Sequence, residues 1–280
     1  MLLVTGSGLL GSEVIKTLLH DHGEVVGTSH SKPKPGAVPL DLTDREGTIE
    51  AIVRLKPEII VHTAAMTNVD YCEDHRTEAM AANAYGTKNI VDAANKINAK
   101  MIYVSTDFVF DGRKGMYRED DPVEPISHYA CSKLIGEYYV KDLHSYIIAR
   151  TSVIYGNARQ NYVSWVKGSL ENAQKIRVVT DQYNSPTLSV DGAEAISALI
   201  KHDADGIYHV AGGERISRYE FARKIASYYG LDDGLIEPVA TEALNQKARR
   251  PMDSSLDVSK VGRYHKMLNI IDGLKKMGGV

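Results

Sequence analysis

The strongest constraint in the sequence is a regular alternation of short, β-branched runs with longer amphipathic stretches over its first 156 residues. Residues 2–5, 24–28, 59–63, 101–105 and 145–149 read as strands, apolar on consecutive positions as strands covered on both faces must be. Between them, residues 9–20, 45–56, 77–98 and 128–142 carry helical periodicity, the second ending where Lys56 precedes Pro57. Strands joined by single crossover helices run parallel, so the expected fold class is α/β, with a doubly wound parallel sheet.

The first unit carries Gly6-Ser7-Gly8-Leu9-Leu10-Gly11, a G-x-G-x-x-G turn directly after a strand and at the start of a helix. In that setting the backbone can approach a pyrophosphate, which rests on the helix N-terminus, where unpaired N–H groups and the dipole favour an anion. Gly6, Gly8, Leu9, Leu10 and Gly11 are therefore candidate cofactor contacts; a plain tight turn is the alternative. An NAD site of this type places an acid at the end of the second strand to hold the ribose hydroxyls. Here that position reads Gly27-Thr28-Ser29-His30-Ser31-Lys32, without an acid. Ser29, His30 and Lys32 suit a 2′-phosphate, so NADP is the expected cofactor, with NAD still open and Lys32 otherwise a solvated loop charge. Asp41 and Leu42 stand where they could meet the adenine edge; alternatively Asp41 caps the helix that begins near Asp44.

Tyr129-Ala130-Cys131-Ser132-Lys133 puts a phenol and an ammonium one helical turn apart on one face. A fixed cation stabilises a phenolate and brings a tyrosine down from its usual pKa of about 10, towards use as an acid or base near neutrality. Ser105 and Thr106 end the fourth strand. Ligands of open α/β sheets bind at the carboxyl ends of strands, so Thr106 is expected to face the same crevice as the glycine turn.

Composition narrows the function classes. A net charge of −3 with no basic run argues against dedicated nucleic-acid or membrane-surface binding. Cys72 and Cys131, the only cysteines, have no CxxC or His-spaced partner, so neither a disulfide framework nor a metal site is expected. The opening residues lack a basic segment and a long apolar run, which reads as a cytoplasmic chain. Sixteen tyrosines against three phenylalanines suggest hydrogen-bonding surfaces more than dry core.

The glycine turn, Ser105-Thr106-Asp107-Phe108-Val109-Phe110-Asp111-Gly112 and Tyr129-x-x-x-Lys133 together resemble the extended short-chain dehydrogenase/reductases, specifically the dTDP-4-dehydrorhamnose reductase family. Further segments are similar too: His62-Thr63-Ala64-Ala65-Met66-Thr67-Asn68-Val69-Asp70, Arg150-Thr151-Ser152-Val153-Ile154-Tyr155-Gly156, Asp181-Gln182-Tyr183-Asn184-Ser185-Pro186-Thr187 and Arg249-Arg250-Pro251-Met252-Asp253-Ser254-Ser255-Leu256-Asp257. The likeness covers nearly the whole chain. It implies a triad in which Thr106 hydrogen-bonds a substrate carbonyl, Tyr129 donates its proton, and Lys133 tunes Tyr129 and holds the nicotinamide ribose. The reaction it implies is reduction of the 4-keto group of a nucleotide-linked deoxysugar. By the same resemblance Ala64, Ala65 and Met66 line the cofactor, Asp107 joins Thr106 at the sugar, and Arg250 pairs with a phosphate unless it is an ordinary surface charge. Asn83 either supports the site from its helix or is a plain helix-surface asparagine.

Three departures stand out. The glycine turn is one residue tighter than the usual G-x-x-G-x-x-G; Val153 stands where the family often has a tryptophan against the sugar; and Cys131 fills a position that is usually small, pointing away from Tyr129 and Lys133. Asp107 is followed by Phe108, so the second carboxylate of the related dehydratases is missing, which argues against elimination chemistry. The family also includes the regulatory beta subunit of methionine adenosyltransferase, so an NADP-binding regulatory subunit docked to a partner enzyme is the alternative function, and a homodimer is an open option. The expected organisation is a Rossmann dinucleotide-binding domain from residues 1–156 and 187–213, with a smaller interleaved substrate-binding lobe from 157–186 and 214–280. In that second part a helix is expected at 161–173, a strand at 177–180, a helix at 190–202, a strand at 207–210 and a helix at 218–229, with residues 275–280 a frayed end.

Overall fold

The computed structural model describes residues 1–30 and 37–278. From the N-terminus, β1 (Leu2–Thr5) leads into α1 (Leu9–His22), β2 (Val25–Ser29), β3 (Ala37–Pro39), α2 (Arg45–Leu55) and β4 (Ile59–His62). Next come α3 (Val69–Asp74), α4 (Arg76–Ala79), a π-helical turn at Met80–Tyr85, α5 (Gly86–Ile97), β5 (Lys100–Thr106), α6 (His128–Val140) and β6 (Tyr146–Thr151). The remainder holds β7 (Ile154–Tyr155), α7 (Tyr162–Glu171), β8 (Ile176–Val179), β9 (Tyr183–Asn184), β10 (Thr187–Leu188), α8 (Ser189–Lys201), β11 (Gly206–His209), β12 (Ile216–Ser217), α9 (Arg218–Tyr229), β13 (Ile236–Val239) and α10 (Ile270–Gly278).

Among the described residues, seven strands form the central sheet in the order β11-β6-β5-β4-β1-β2-β3, and every neighbouring pair is parallel. The doubly wound α/β sheet is thus present. Successive side chains of a strand point to opposite faces, and both faces are filled. Leu2, Val4, Val61, Ile102 and Ile147 pack with Val14 and Leu18 of α1 and with Ile196 and Leu199 of α8. Leu3, Ile60, Met101 and Ile148 pack on the other face with Ile52 of α2, Ile90 of α5 and Val140 of α6. The chain moves from β1 towards β2 and β3 on one side and resumes at β4 on the other. A crevice therefore opens at the carboxyl ends of β1 and β4.

A separate apolar cluster gathers Val163 and Val166 of α7, Phe221 and Ile225 of α9, Ile176 of β8, Ile236 of β13, and Ile270 and Leu274 of α10. Here the sequence expectations need correction. β13, parallel to β8, is not among the expected strands, and α10, whose Ile270 and Leu274 are buried, runs into the end expected to be frayed. Both are short; β13 is held by its pairing with β8, and α10 by the apolar stripe of Ile270, Leu274 and Met277 against the cluster. The helix expected over 77–98 is broken into α4, the π turn and α5. The tyrosines are also less superficial than their number suggests: Tyr103 and Tyr155 are fully buried, and Tyr103 donates its hydroxyl proton to the Lys133 carbonyl at 3.2 Å. No described helix is long and apolar enough to cross a membrane.

Candidate active site

The glycine turn is built for close approach. Gly6 has φ +88°, and a Cβ there would lie 2.8 Å from Ala64 N and Cα; one on Gly11 would lie 2.4 Å from the Gly6 carbonyl oxygen and Thr63 Oγ1. Both glycines are therefore required by the protein's own packing. Gly8 differs: nothing lies within 4 Å of a Cβ placed on it, and as the N-cap of α1 it supplies no side-chain cap. Open space over an uncapped helix N-terminus fits a pyrophosphate.

This turn forms one end of a cleft of about 690 Å³. Gly6, Gly8, Leu9, Leu10, Gly11, Ser29, His30, Ala64, Ala65, Thr106, Asp107, Tyr129, Lys133 and Val153 all line it. Lys32 lies outside the described residues. Four expected contacts are not in the lining. Asp41 turns its carboxylate to Thr43, accepting from the hydroxyl at 2.7 Å and the amide at 2.9 Å, and these bonds hold it below the usual carboxylate range. The cap of α2 is Asp44, which accepts from Gly47 N at 3.1 Å, so Asp41 does not cap that helix. The Leu42 carbonyl accepts from Asn89 Nδ2. Met66 is drawn towards the protein by Asn83, which accepts from the Met66 amide at 2.8 Å and donates to its carbonyl at 3.0 Å. Asn83 is itself buried in the π turn and also donates to Ser132 Oγ, so it is no helix-surface residue. Arg250 is bound to Asp70 at 3.0 Å and donates to the Ala248 carbonyl at 2.7 Å. It is neither a cleft wall nor an exposed charge.

Tyr129 and Lys133 stand one turn apart on α6, whose N-cap Ser127 accepts from Ala130 N. Both side chains are buried. The phenol is pushed above its ordinary pKa by burial, with the Thr106 hydroxyl pulling the other way. The one-turn spacing of Tyr129 and Lys133 predicts a lowered value, but Lys133 Nζ is turned away: it donates to the Val104 carbonyl at 2.8 Å and sits 4.0 Å from the centre of the Tyr103 ring. Burial brings Lys133 down to about 7, opposed by Glu137. Thr106 donates to Asp107 Oδ1 at 3.1 Å, while Asp107 Oδ2 accepts from Ser152 at 2.7 Å and Ser254 at 2.5 Å. Burial raises the Asp107 pKa against these three hydroxyls. Val153 enters the wall at φ +41°, a left-handed conformation that is uncommon for a β-branched residue and typical of strained site positions.

Three further cleft residues escape the sequence reading. Arg159 donates to the Ser7 carbonyl at 3.1 Å, Asn161 caps α7, and Arg218 opens α9. Only the docking of α7 and α9 brings them to the crevice, so no local signal marks them.

Comparison with known proteins gives a consistent picture. The chain is 35% identical to the spore coat polysaccharide biosynthesis protein SpsK of Bacillus subtilis over 257 residues, covering 91% of this chain and 88% of that protein. It is 31% identical to methionine adenosyltransferase 2 subunit beta of Xenopus laevis over 271 residues, covering 92% and 80% respectively. Its fold superposes on the crystal structure of dTDP-4-dehydrorhamnose reductase from Bacillus anthracis in complex with NADP with a TM-score of 0.91, at 33% identity, covering 99% of this chain and 98% of that one. The model of the RmlD substrate binding domain matches residues 1–269, and with that extent of agreement this chain belongs to the RmlD substrate binding domain family.

Proposed function

We propose that this chain is an NADPH-dependent reductase of the 4-keto group of a nucleotide-linked deoxysugar. The observation that carries this reading is the convergence of Thr106, Tyr129 and Lys133 with the glycine turn in one cleft. NADPH, when bound along Gly6–Gly11 with its adenosine end towards Ser29 and His30, supplies hydride. The absence of an acid after β2 supports NADP over NAD. Residues 1–156 and 187–213 form the cofactor part in this reading, and 157–186 and 214–280 the sugar-nucleotide part.

In the chemical step the carbonyl carbon gains hydride and the carbonyl oxygen gains the Tyr129 phenolic proton, leaving an alcohol and a phenolate. A phenol whose pKa is raised holds its proton at neutral pH, so donation requires that the developing phenolate be stabilised once the cleft is filled. Thr106 re-aims its hydroxyl from Asp107 to the carbonyl oxygen, polarising it and fixing its position. For Lys133 to steady that phenolate its Nζ has to turn from the Val104 carbonyl towards Tyr129 in its charged form, the new anion favouring both changes until solvent returns the proton. NADPH oxidation with dTDP-4-dehydro-6-deoxy-L-mannose tests this: Tyr129→Phe should lower kcat by about a hundredfold or more, with NADPH affinity kept. Similarity to methionine adenosyltransferase 2 subunit beta favours a second reading, an NADP-binding regulatory subunit. Tight NADP binding with no wild-type turnover above the Tyr129→Phe level would select it.

A further inference from the structure

We propose that Arg218 is the anchor for the diphosphate of the nucleotide sugar, an inference that rests on the sugar-nucleotide reading above. A cleft that takes two anionic molecules needs cations at two places. At one end of the lining, Arg159 and His30 flank the glycine turn, where the cofactor's pyrophosphate has its place. Lys133 is committed to the Val104 carbonyl. Arg218 remains, lining the same cleft as Asp107 and Val153.

Its setting is that of a prepared side chain. Arg218 N donates to the Gln182 carbonyl at 2.9 Å, and the Arg218 carbonyl accepts from the Tyr162 hydroxyl at 2.8 Å. Ser217 and Glu220 form a capping box around it, so the backbone at the start of α9 is held from three directions. The guanidinium lies over the Tyr162 ring at 5.0 Å and donates no hydrogen bond to any described residue. The two nearby arginines are different: Arg250 is bound to Asp70 and the Ala248 carbonyl, and Arg215 to Asp253. Asp107 is within electrostatic reach of Arg218, but its oxygens already accept from three hydroxyls.

A partly buried guanidinium with five unused donors is costly unless something fills them. Its planar fork matches two phosphate oxygens, which a lysine cannot reproduce. The geometry of the reaction selects the same ligand group. With the keto carbon held at Thr106 and Tyr129 and the glycine turn occupied by cofactor, the substrate's diphosphate must leave the sugar on the side away from that turn. Arg218 lines the cleft with Thr106 and Tyr129, lies within electrostatic reach of Asp107, and makes no bond to the glycine turn.

The test is calorimetric titration of the NADP-loaded full chain with dTDP, dTMP and thymidine, for wild type, Arg218→Met and Arg218→Lys. The wild type should bind dTDP more tightly than thymidine. Arg218→Met should weaken dTDP about tenfold or more, leave thymidine and NADPH binding unchanged, and raise KM for the sugar nucleotide more than it lowers kcat; Arg218→Lys should recover part of the loss. Unchanged dTDP affinity in Arg218→Met overturns the anchor while leaving the reductase reading standing. A wild type that binds NADP but none of the nucleotides overturns both.

Discussion

An ammonium without water must either find anions or give up its proton. Lys133 has one carbonyl, one ring face and the carboxylate of Glu137 in the vicinity, and its pKa falls to about 7 from the ordinary 10.5. Between these values the unfolded chain holds a proton that the folded chain does not, so the Lys133 contribution to stability rises with pH across that window. Below pH 7 both states are protonated and the cost of burying the charge is at its full size. Lys133→Met should therefore be most favourable relative to wild type at pH 6 and lose ground steadily up to pH 9.5, read as the difference in melting temperature. Parallel curves would mean that the ammonium is solvated. At this scale Tyr129 and Lys133 are legible in the sequence because one helix carries both, and helical spacing alone fixes their shared face. The direction in which Lys133 points is not, because Val104 and Tyr103 reach it from β5. Nor is the engagement of Arg250 with Asp70, which depends on distant segments meeting.

Among the elements, the π turn at Met80–Tyr85 does what a straight helix would not: it seats Asn83 between the loop after β4 and α6. Through the Met66 backbone, Asn83 fixes the segment that presents Ala64 and Ala65 to the cleft. Asn83→Ala leaves the Met66 amide and carbonyl without their partner, which should cost roughly 1–3 kcal/mol in urea unfolding and weaken NADPH binding as well. A stability loss with cofactor affinity untouched would make Asn83 a purely structural residue. The same element marks the limit of periodicity. Residues 77–98 have the apolar spacing of one helix, and spacing does not reveal an extra residue in one turn. The major strands and helices of the sheet are legible because each is covered on both faces or along one stripe. The short β3 and β13 are not, since each is held by one neighbouring strand.

For the whole molecule, the buried pair of Arg150 and Glu137 ties β6 to α6 directly behind the cleft. Arg150 donates to Glu137 at 2.8 and 3.0 Å, Ser105 donates to Glu137 at 2.6 Å, and both charged side chains are buried. Arg150→Met alone strands the carboxylate and should cost about 3–5 kcal/mol, whereas Glu137→Leu with Arg150→Met should recover most of it. Denaturant unfolding of the two single variants and the double variant measures the difference; additive losses would show that the ions are not paired in solution. At this largest scale the parallel sheet and its crevice follow from alternation and the glycine turn, while the second apolar cluster, assembled from separate stretches between Tyr155 and Leu274, is legible only once the chain is folded.

The central claim is that hydride and a Tyr129 proton arrive at one carbonyl in this cleft. NADPH deuterated at the reactive nicotinamide carbon, incubated with the 4-keto deoxysugar nucleotide, tests it most directly. Mass and NMR analysis should find a single deuterium at C4 of the sugar with wild type, appearing more slowly by about a hundredfold or more with Tyr129→Phe. Unlabelled sugar recovered from wild type that binds NADPH tightly would contradict the account.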